Sequence, residues 1–532
     1  MSRAGPCLAV LLPLALLQVA GRCGGGSGSG GQSVREVRSP DVRCAALGDE
    51  FPPGFGFVPG APGRVWVADF APPSFVPLDV SSVPPQVPAA PSPFLLPPDS
   101  DGDGIAEGSF QLPLSPILDG IAVVASDLAF ATASSYEEVI FVDAQRGGLR
   151  SFEVAVDASF ARADNPQLPV PGTSALRTAL STFACVRPPA GALDSRGDPV
   201  ATSVPQRGFC DPTQPSYLAS FTSGAAVAGG HLFVSTSNLG NGAGTSNPQF
   251  LPGSVLVYDL DLAATPPRVA PNPDVPAIVT TAFNPTHVTA FSAAGRDFVL
   301  VTVSGAIGIA EDQPGTPEIE SAGIALTDAA IDVIDARTLE LVATVPLGRA
   351  GLAFGRLAID ASGRVAVAGS AVARWLLAVD LSVLSGLPAS AAPPLVLDGS
   401  SGPDAVVFDA AAPFQIPARP DGAPAASCPG FTAGVAFAPA APRIHASDYC
   451  DGTLAAIDVD LAGSPPAPLA AARFDFVSLS AVTAALRSDT LGRPRGPSAL
   501  ELRPGIPGVD FSGPELFLLV SQPGLLCGID LE

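Results

Sequence analysis

The chain is a succession of short apolar runs, each about five residues long, cut off by polar turns. Within a run, hydrophobic residues either alternate with other residues or fill every position, as in strands buried on one face or on both. Long stretches with helical periodicity are missing, so the pattern predicts an all-β chain and argues against a helical solenoid. One signature recurs seven times: a run closing on a hydrophobic residue followed by Asp. It occurs at Leu78-Asp79, Val142-Asp143, Tyr258-Asp259, Ile334-Asp335, Val379-Asp380, Ile457-Asp458 and Ile529-Asp530. The clearest unit, Ala330 to Gly348, reads as strand, turn at Ala336-Arg337-Thr338, strand and stop. Gly434 to Asp458 reads as strand, Pro turn, strand, polar loop and strand. Arg356 to Asp380 carries its turn at Ser362-Gly363.

These units resemble the YVTN/YncE-like β-propeller repeats, in which a blade ends in a hydrophobic strand, an Asp, a short turn and a final strand. The resemblance is specific in the fourth to sixth units and loose around Leu78 and in the insertions. It implies a single propeller of about seven four-stranded blades over residues 34–532, with long loop insertions. Successive Asp residues lie 45 (Asp335 to Asp380) to 116 (Asp143 to Asp259) positions apart. A blade takes ~40–50 residues, so the excess is loop, where function tends to sit on a rigid scaffold. The last unit is one strand short at Glu532. Val34 to Val42 is expected to supply its outer strand and close the ring, removing exposed edges.

Composition supports a buried, many-turned β protein: 47% hydrophobic, 14% charged, with 59 Pro and 55 Gly spread between the runs. The net charge is −23 and no lysine occurs. That balance disfavours nucleic acid and anionic membrane surfaces as partners, suits a cation or a basic partner, and removes P-loop and Schiff-base chemistry.

The N-terminus carries Met1-Ser2-Arg3, an apolar stretch from Cys7 to Ala20 and then small residues, as a signal peptide does over residues 1–22. Cys23 and the Gly/Ser tether follow, over residues 23–33. The segment resembles a bacterial lipoprotein signal, which implies lipidation of Cys23. Arg22, just before that cysteine, departs from the small residue usual there, and cleavage after Gly21 to a soluble exported protein stays open. The expected location is the outer membrane or cell surface if lipidated, and the periplasm or medium if not. Six further cysteines, an even number in an exported chain, point to disulfides. The order along the chain favours Cys185–Cys210 and Cys428–Cys450 as local staples and Cys44–Cys527 as a terminal clasp.

Asp99-Ser100-Asp101-Gly102-Asp103-Gly104-Ile105-Ala106-Glu107 is the sharpest chemical motif. Oxygen donors at positions 1, 3 and 5, the carbonyl of Ile105 at 7 and Glu107 at 9 suit a calcium ion, with Gly104 at the sharp turn. It resembles the DxDxDG loops of thrombospondin type 3 and dockerin repeats. Position 12 is Phe110, so the usual closing Glu is missing and another residue must finish the shell. The expected role is a structural ion ordering the Pro-rich insertion over residues 79–116; a solvated acidic turn is the plainer reading.

Three other insertions fall where a propeller's upper face is built: Asn238 to Phe250, Ser304 to Thr327 with Glu311, Asp312, Glu318 and Glu320, and Asn165 to Pro215. Together they form a candidate binding surface, against the plainer reading of three solvated loops. His231, His287 and His445 are the only histidines. His231 and His445 sit in apolar strands, where a satisfied structural role is expected; His287 is expected on an innermost strand near the channel. No HExxH, GxSxG or CxxCH motif occurs. The sequence therefore points to a monomeric, non-catalytic binding or scaffold propeller with an unknown protein or envelope ligand. A propeller hydrolase of lactonase type, with a metal in the central channel, is the alternative.

Overall fold

A computed structural model describes residues 34–36, 42–47, 54–70, 73–81, 84–96, 118–133, 137–155, 174–182, 184–200, 216–241, 246–309, 323–353, 355–417, 432–438, 442–448, 452–459, 474–478, 495–502, 516–522 and 524–529. Among them, seven sheets carry four or more strands each. From inner to outer strand, the first sheet is Gly54–Val58, Ala61–Phe70, Pro73–Asp79 and Phe94–Leu95. The second is Leu118–Ala125, Leu128–Ala133, Glu138–Val142 and Ala179–Ser181. Thr222–Ala228, His231–Thr236, Pro252–Asp261 and Arg268–Pro271 make the third. In the fourth come Pro285–Ala293, Arg296–Val303, Ala329–Asp335 and Glu340–Gly348. The fifth holds Ala358–Ile359, Val365–Gly369, Trp375–Asp380 and Val406–Phe408. Thr432–Phe437, Arg443–Asp448, Thr453–Asp458 and Phe474–Ser478 form the sixth, and Arg495–Leu502, Leu516–Gln522, Leu525–Ile529 and Val42–Ala46 the seventh.

Neighbouring sheets share a core, and the cores run round a closed ring. Trp66 and Phe75 meet Ile121 and Ile140 between the first and second sheets. Phe130 and Phe141 meet Val234 and Leu256 between the second and third. The same alternation continues through the third to sixth sheets. Leu516 and Leu518 pack toward the sixth sheet, while Phe517 and Leu519 pack toward the first and close the circle. Successive residues of one strand thus enter opposite cores: Phe298 and Leu300 go one way, Val299 and Val301 the other. This is why so many runs are apolar at every position rather than alternating. The fold is an all-β propeller.

The recurrent Asp lies at or near the end of the third strand in the first six sheets, and Asp530 lies outside the described residues. At Asp79, Asp143, Asp335 and Asp380 it is a turn residue. Asp143 Oδ1 accepts the backbone N–H groups of Gln145 and Arg146 at 3.1 and 2.8 Å. Asp335 Oδ1 does the same for Arg337 and Thr338 at 3.0 Å each. A side-chain acceptor two or three residues ahead of otherwise unpaired N–H groups ends the strand and starts the hairpin. In the third sheet Asp261 takes this part, and Asp259 accepts from Asn272 instead.

The closing strand differs from expectation. Val42–Ala46, not Val34 to Val42, pairs antiparallel with Leu525–Ile529. Val34–Glu36 instead adds in parallel to Phe474–Ser478 of the sixth sheet. The chain before the first sheet therefore stitches two sheets, and the directly paired Cys44 and Cys527 are joined by a disulfide. Two other outer edges are covered in the same parallel way, Arg268–Pro271 by Phe152–Ala155 and Glu340–Gly348 by Leu395–Val396. Covered edges present no open ladder to a second chain.

Candidate functional site

The insertions of the third and fourth sheets both leave between second and third strands, and the long insertion between the second and third sheets leads into the inner strand of the third. Strand direction puts all three at one end of the ring. Each contains a small two-stranded sheet of its own: Cys185–Val186 with Tyr217–Leu218, Leu239–Asn241 with Gln249–Phe250, and Ile307–Ile309 with Gly323–Ala325.

They are fused rather than separate. Ser195 N–H donates to the Phe250 carbonyl at 2.9 Å, and Ser195 Oγ accepts from Phe250 N–H at 2.8 Å. Arg196 grips the Asn247 carbonyl with Nε and Nη2 at 3.0 and 2.7 Å. Gln249 Nε2 donates to Asp194 Oδ2 at 2.6 Å, while Asp194 Oδ1 holds its own turn through the N–H groups of Arg196 and Asp198. A methyl group on Gly308 would lie 2.3 Å from the Ser246 carbonyl oxygen, so the fourth sheet's insertion abuts the third's with no room for a side chain. Beneath them Leu239, Phe250 and Ala306 share a small core with Phe221, Phe283 and Leu326. Leu193 and Ile324 stay exposed on this face. The sequence singled out these insertions by length and polarity; the Asp194-Ser195-Arg196 turn that joins them carried no signal beyond turn-forming residues.

The end of the ring around them is tied by polar side chains. Glu137, 2% exposed and with a positive φ of 58°, accepts Phe221 N–H on Oε2 at 2.7 Å, linking second and third sheets. Asn238 (φ 55°) accepts Ser220 N–H and donates to the Pro252 carbonyl at 2.7 Å. An Asn tolerates the left-handed backbone and bonds locally, which is why it stands at this corner.

The second feature is the central channel, lined by the inner strands. His287 lies on the innermost strand of the fourth sheet, as expected. A methyl group on Gly224 of the third sheet would lie 2.8 Å from His287 Nδ1 and 3.0 Å from its Cα, so glycine is what lets these inner strands meet. His287 Nε2 is buried and has no hydrogen-bond partner among the described residues. Burial, with the nearby Arg356 charge adding to it, pushes this imidazole down to about 3, so it is neutral at physiological pH. Arg356 precedes the inner strand of the fifth sheet and donates from Nη2 to the Ile121 carbonyl of the second sheet at 3.0 Å. The guanidinium therefore spans the ring. Arg356 was not among the candidates because a single arginine in a loop has no motif.

The other two histidines divide. His231 Nδ1 sits 3.0 Å from Asp259 Oδ1 at the end of a strand. His445 departs from the expected satisfied role: it is 2% exposed, and neither ring nitrogen has a hydrogen-bond partner among the described residues. Burial lowers it to about 4.

The calcium motif, Asp99, Asp101, Asp103, Ile105 and Glu107, lies outside the described residues, as do Cys23, Cys210, Cys428, Cys450 and the N-terminal segment. Cys185 is disulfide-bonded. Among the described residues no group of three or more His, Cys, Asp or Glu is placed to hold a metal, and no helix is long and apolar enough to cross a membrane.

No known family profile matches the chain, and no curated protein matches it. Solved structures do. Hydrazine synthase of Kuenenia stuttgartiensis aligns at 10% identity over 92% of this chain and 97% of that one, with a TM-score of 0.43. The β-propeller domain of Cps50 (Swd1) of Myceliophteria thermophila aligns at 10% identity over 92% and 100%, with a TM-score of 0.45. A protein described as a putative 6-phosphogluconolactonase of Bacteroides uniformis aligns at 10% identity over 80% and 88%, with a TM-score of 0.40.

Proposed function

We propose that this protein is an exported, non-catalytic propeller that binds a protein or envelope ligand through the face where its three insertions are fused. The observation that carries this reading is the stitching of residues 194–196 to 247–250 and of Gly308 to Ser246. Three loops that merely filled space would not share hydrogen bonds and a common core, and loops ordered on a rigid ring are a recurrent way to build a binding surface. The test exchanges residues 240–247 for a short Gly-Ser turn, alongside Arg196→Ala. A partner crosslinked from the cell envelope by the intact protein is lost by both variants while their melting temperatures stay within a few degrees. Equal recovery by the variants, or turnover of lactones by the purified protein, overturns the reading.

Further parts of the proposal rest on sequence. Export is supported by Arg3, the apolar run Cys7 to Ala20 and the small residues after it, and envelope anchoring by Cys23 and the tether. Mass spectrometry of the mature N-terminus expects a diacylglyceryl Cys23. A free N-terminus at Arg22 makes the protein a soluble one. The DxDxDG loop is proposed to hold one structural calcium, titratable in the intact protein and absent from Asp101→Ala plus Asp103→Ala. A count of seven blades is supported by the seven cores between sheets and the seven hydrophobic–Asp steps of the sequence; a projection image down the ring axis counts them directly.

A further inference from the structure

We propose that the N-terminal anchor holds this ring with its fused insertions turned away from the membrane, so that the insertion face meets its partner across the aqueous space. The inference rests on the reading of Cys23 as the anchored residue and of the insertion face as the binding surface, and its test keeps the three apart.

Strand direction is the first argument. In the third and fourth sheets the second strand runs toward the insertion end and the third runs away from it, because the insertions leave between the two. That end continues round the ring. Ser304, just past the second strand of the fourth sheet, donates from Oγ to the Leu352 carbonyl ahead of the fifth sheet's inner strand at 2.7 Å. Thr432 N–H, at the start of the sixth sheet's inner strand, donates to the Ser370 carbonyl just past the second strand of the fifth at 3.0 Å. The third strand of the sixth sheet, Thr453–Asp458, therefore finishes at the opposite end, where Ile457 pairs with Phe474, the first residue of the outer strand. Val34 pairs with that same Phe474, in parallel. Val42 pairs with Ile529 at the corresponding end of the seventh sheet. Both strands of the N-terminal segment thus start at the end opposite the insertions, and residues 23–33 precede Val34 directly in sequence.

Reach is the second. The insertions centre on the third sheet, and the sixth lies three sheets from it in one direction round the ring and four in the other. Turning the insertion face to the membrane would lift Val34 by the height of the ring, ~25 Å for an eight-residue strand such as Arg296–Val303. Eleven residues of Gly/Ser-rich composition, from 23 to 33, are expected to span ~18 Å on average. The opposite orientation needs no such extension.

Charge acts in the same direction. Between Ile309 and Gly323 the sequence holds Glu311, Asp312, Glu318 and Glu320 and no basic residue. Both ends of that stretch are fixed at the insertion face by the pairing of Ile307–Ile309 with Gly323–Ala325. An anionic bilayer surface repels such a face.

The chain has no lysine, so one introduced lysine is a unique side-chain site for an amine-reactive fluorophore. Ala294→Lys marks an exposed turn between the first and second strands of the fourth sheet, at the end opposite the insertions. Leu193→Lys and Ile324→Lys mark the insertion face, where both residues are exposed. Full-length proteins purified from membranes are placed in vesicles of phosphatidylcholine and phosphatidylglycerol, with and without a headgroup-spin-labelled lipid. The unsubstituted chain corrects for labelling at the N-terminal amine. Quenching by the spin label is expected to be at least threefold stronger in the Ala294→Lys protein than in either of the others. Equal quenching at the three positions, or stronger quenching at the insertion face, overturns the proposal. Protein that does not float with the vesicles sinks the anchoring reading instead. The comparison is then made on the mature chain with Cys23 coupled to a maleimide lipid, Cys23→Ser serving as the uncoupled control, and the same threefold ratio decides. Partner capture, tested above with Arg196→Ala, reports on the binding surface separately.

Discussion

At the scale of single residues, the structure shows where burial has set the protonation of a group. His445 and His287 are held neutral, at about 4 and about 3, against ~6.5 in the unfolded chain. Between those values the unfolded state binds a proton that the folded state refuses. Their contribution is whole above pH ~6.5 and is lost as the pH falls toward the folded values, at up to ~1.4 kcal/mol per pH unit for each imidazole. His445→Leu is therefore expected to flatten the fall in melting temperature between pH 6.5 and 4.5, and an unchanged slope rules the residue out as a cause. Asp332 shows the opposite sign. Burial raises its pKa although Thr281 donates to it from N–H and Oγ1 at 2.7 and 2.6 Å. A carboxyl raised in the folded state stabilises below the unfolded pKa and loses that contribution as the pH rises through the folded one. Asp332→Asn keeps an acceptor for Thr281 N–H and removes the buried charge. Its melting temperature is expected to gain on wild type at pH 8 and to match it near pH 4. None of these shifts was visible in the sequence, which showed His445 only as a polar residue in an apolar run.

Among the elements, ring closure and the tight inner contacts carry the specific predictions. Cys44 and Cys527 lie 483 positions apart in sequence, and a cross-link over so long a loop restricts the unfolded chain strongly. Cys44→Ser with Cys527→Ser is expected to cost about 2–5 kcal/mol in denaturant unfolding. A midpoint equal to wild type would show that the strand pairing alone closes the ring. In the fifth sheet, a methyl group on Gly369 would lie 2.1 Å from the Thr432 carbonyl oxygen of the sixth. Backbone cannot yield there, so Gly369→Ala is expected to destabilise by at least ~1–3 kcal/mol, whereas Gly60→Ala in an open turn meets no atom within 4 Å and acts only through its positive φ. The strand–turn–strand units at Ala330 to Gly348 and Gly434 to Asp458 were legible because each follows from local pattern. The closing strand was placed too early because several apolar residues stand on both sides of Val42, and only pairing with Leu525–Ile529 selects among them.

For the molecule as a whole, the pattern of apolar runs and the seven hydrophobic–Asp steps by themselves determined an all-β chain of repeated antiparallel units. That followed because strand period, turn chemistry and two-sided burial are local properties, written residue by residue as at Phe298 to Val301 and at Asp335. The insertions were visible for the same reason, as intervals too long for a repeat. Tertiary structure alone decided which surfaces meet. It brought residues 194–196 to 247–250, set Arg356 across the ring at Ile121, and left both ring nitrogens of His445 without a hydrogen-bond partner among the described residues. Such contacts join residues up to 235 positions apart. They depend on how many sheets close the circle and at what spacing, and that geometry comes from packing every sheet against its neighbours at once, which no stretch of the sequence encodes by itself.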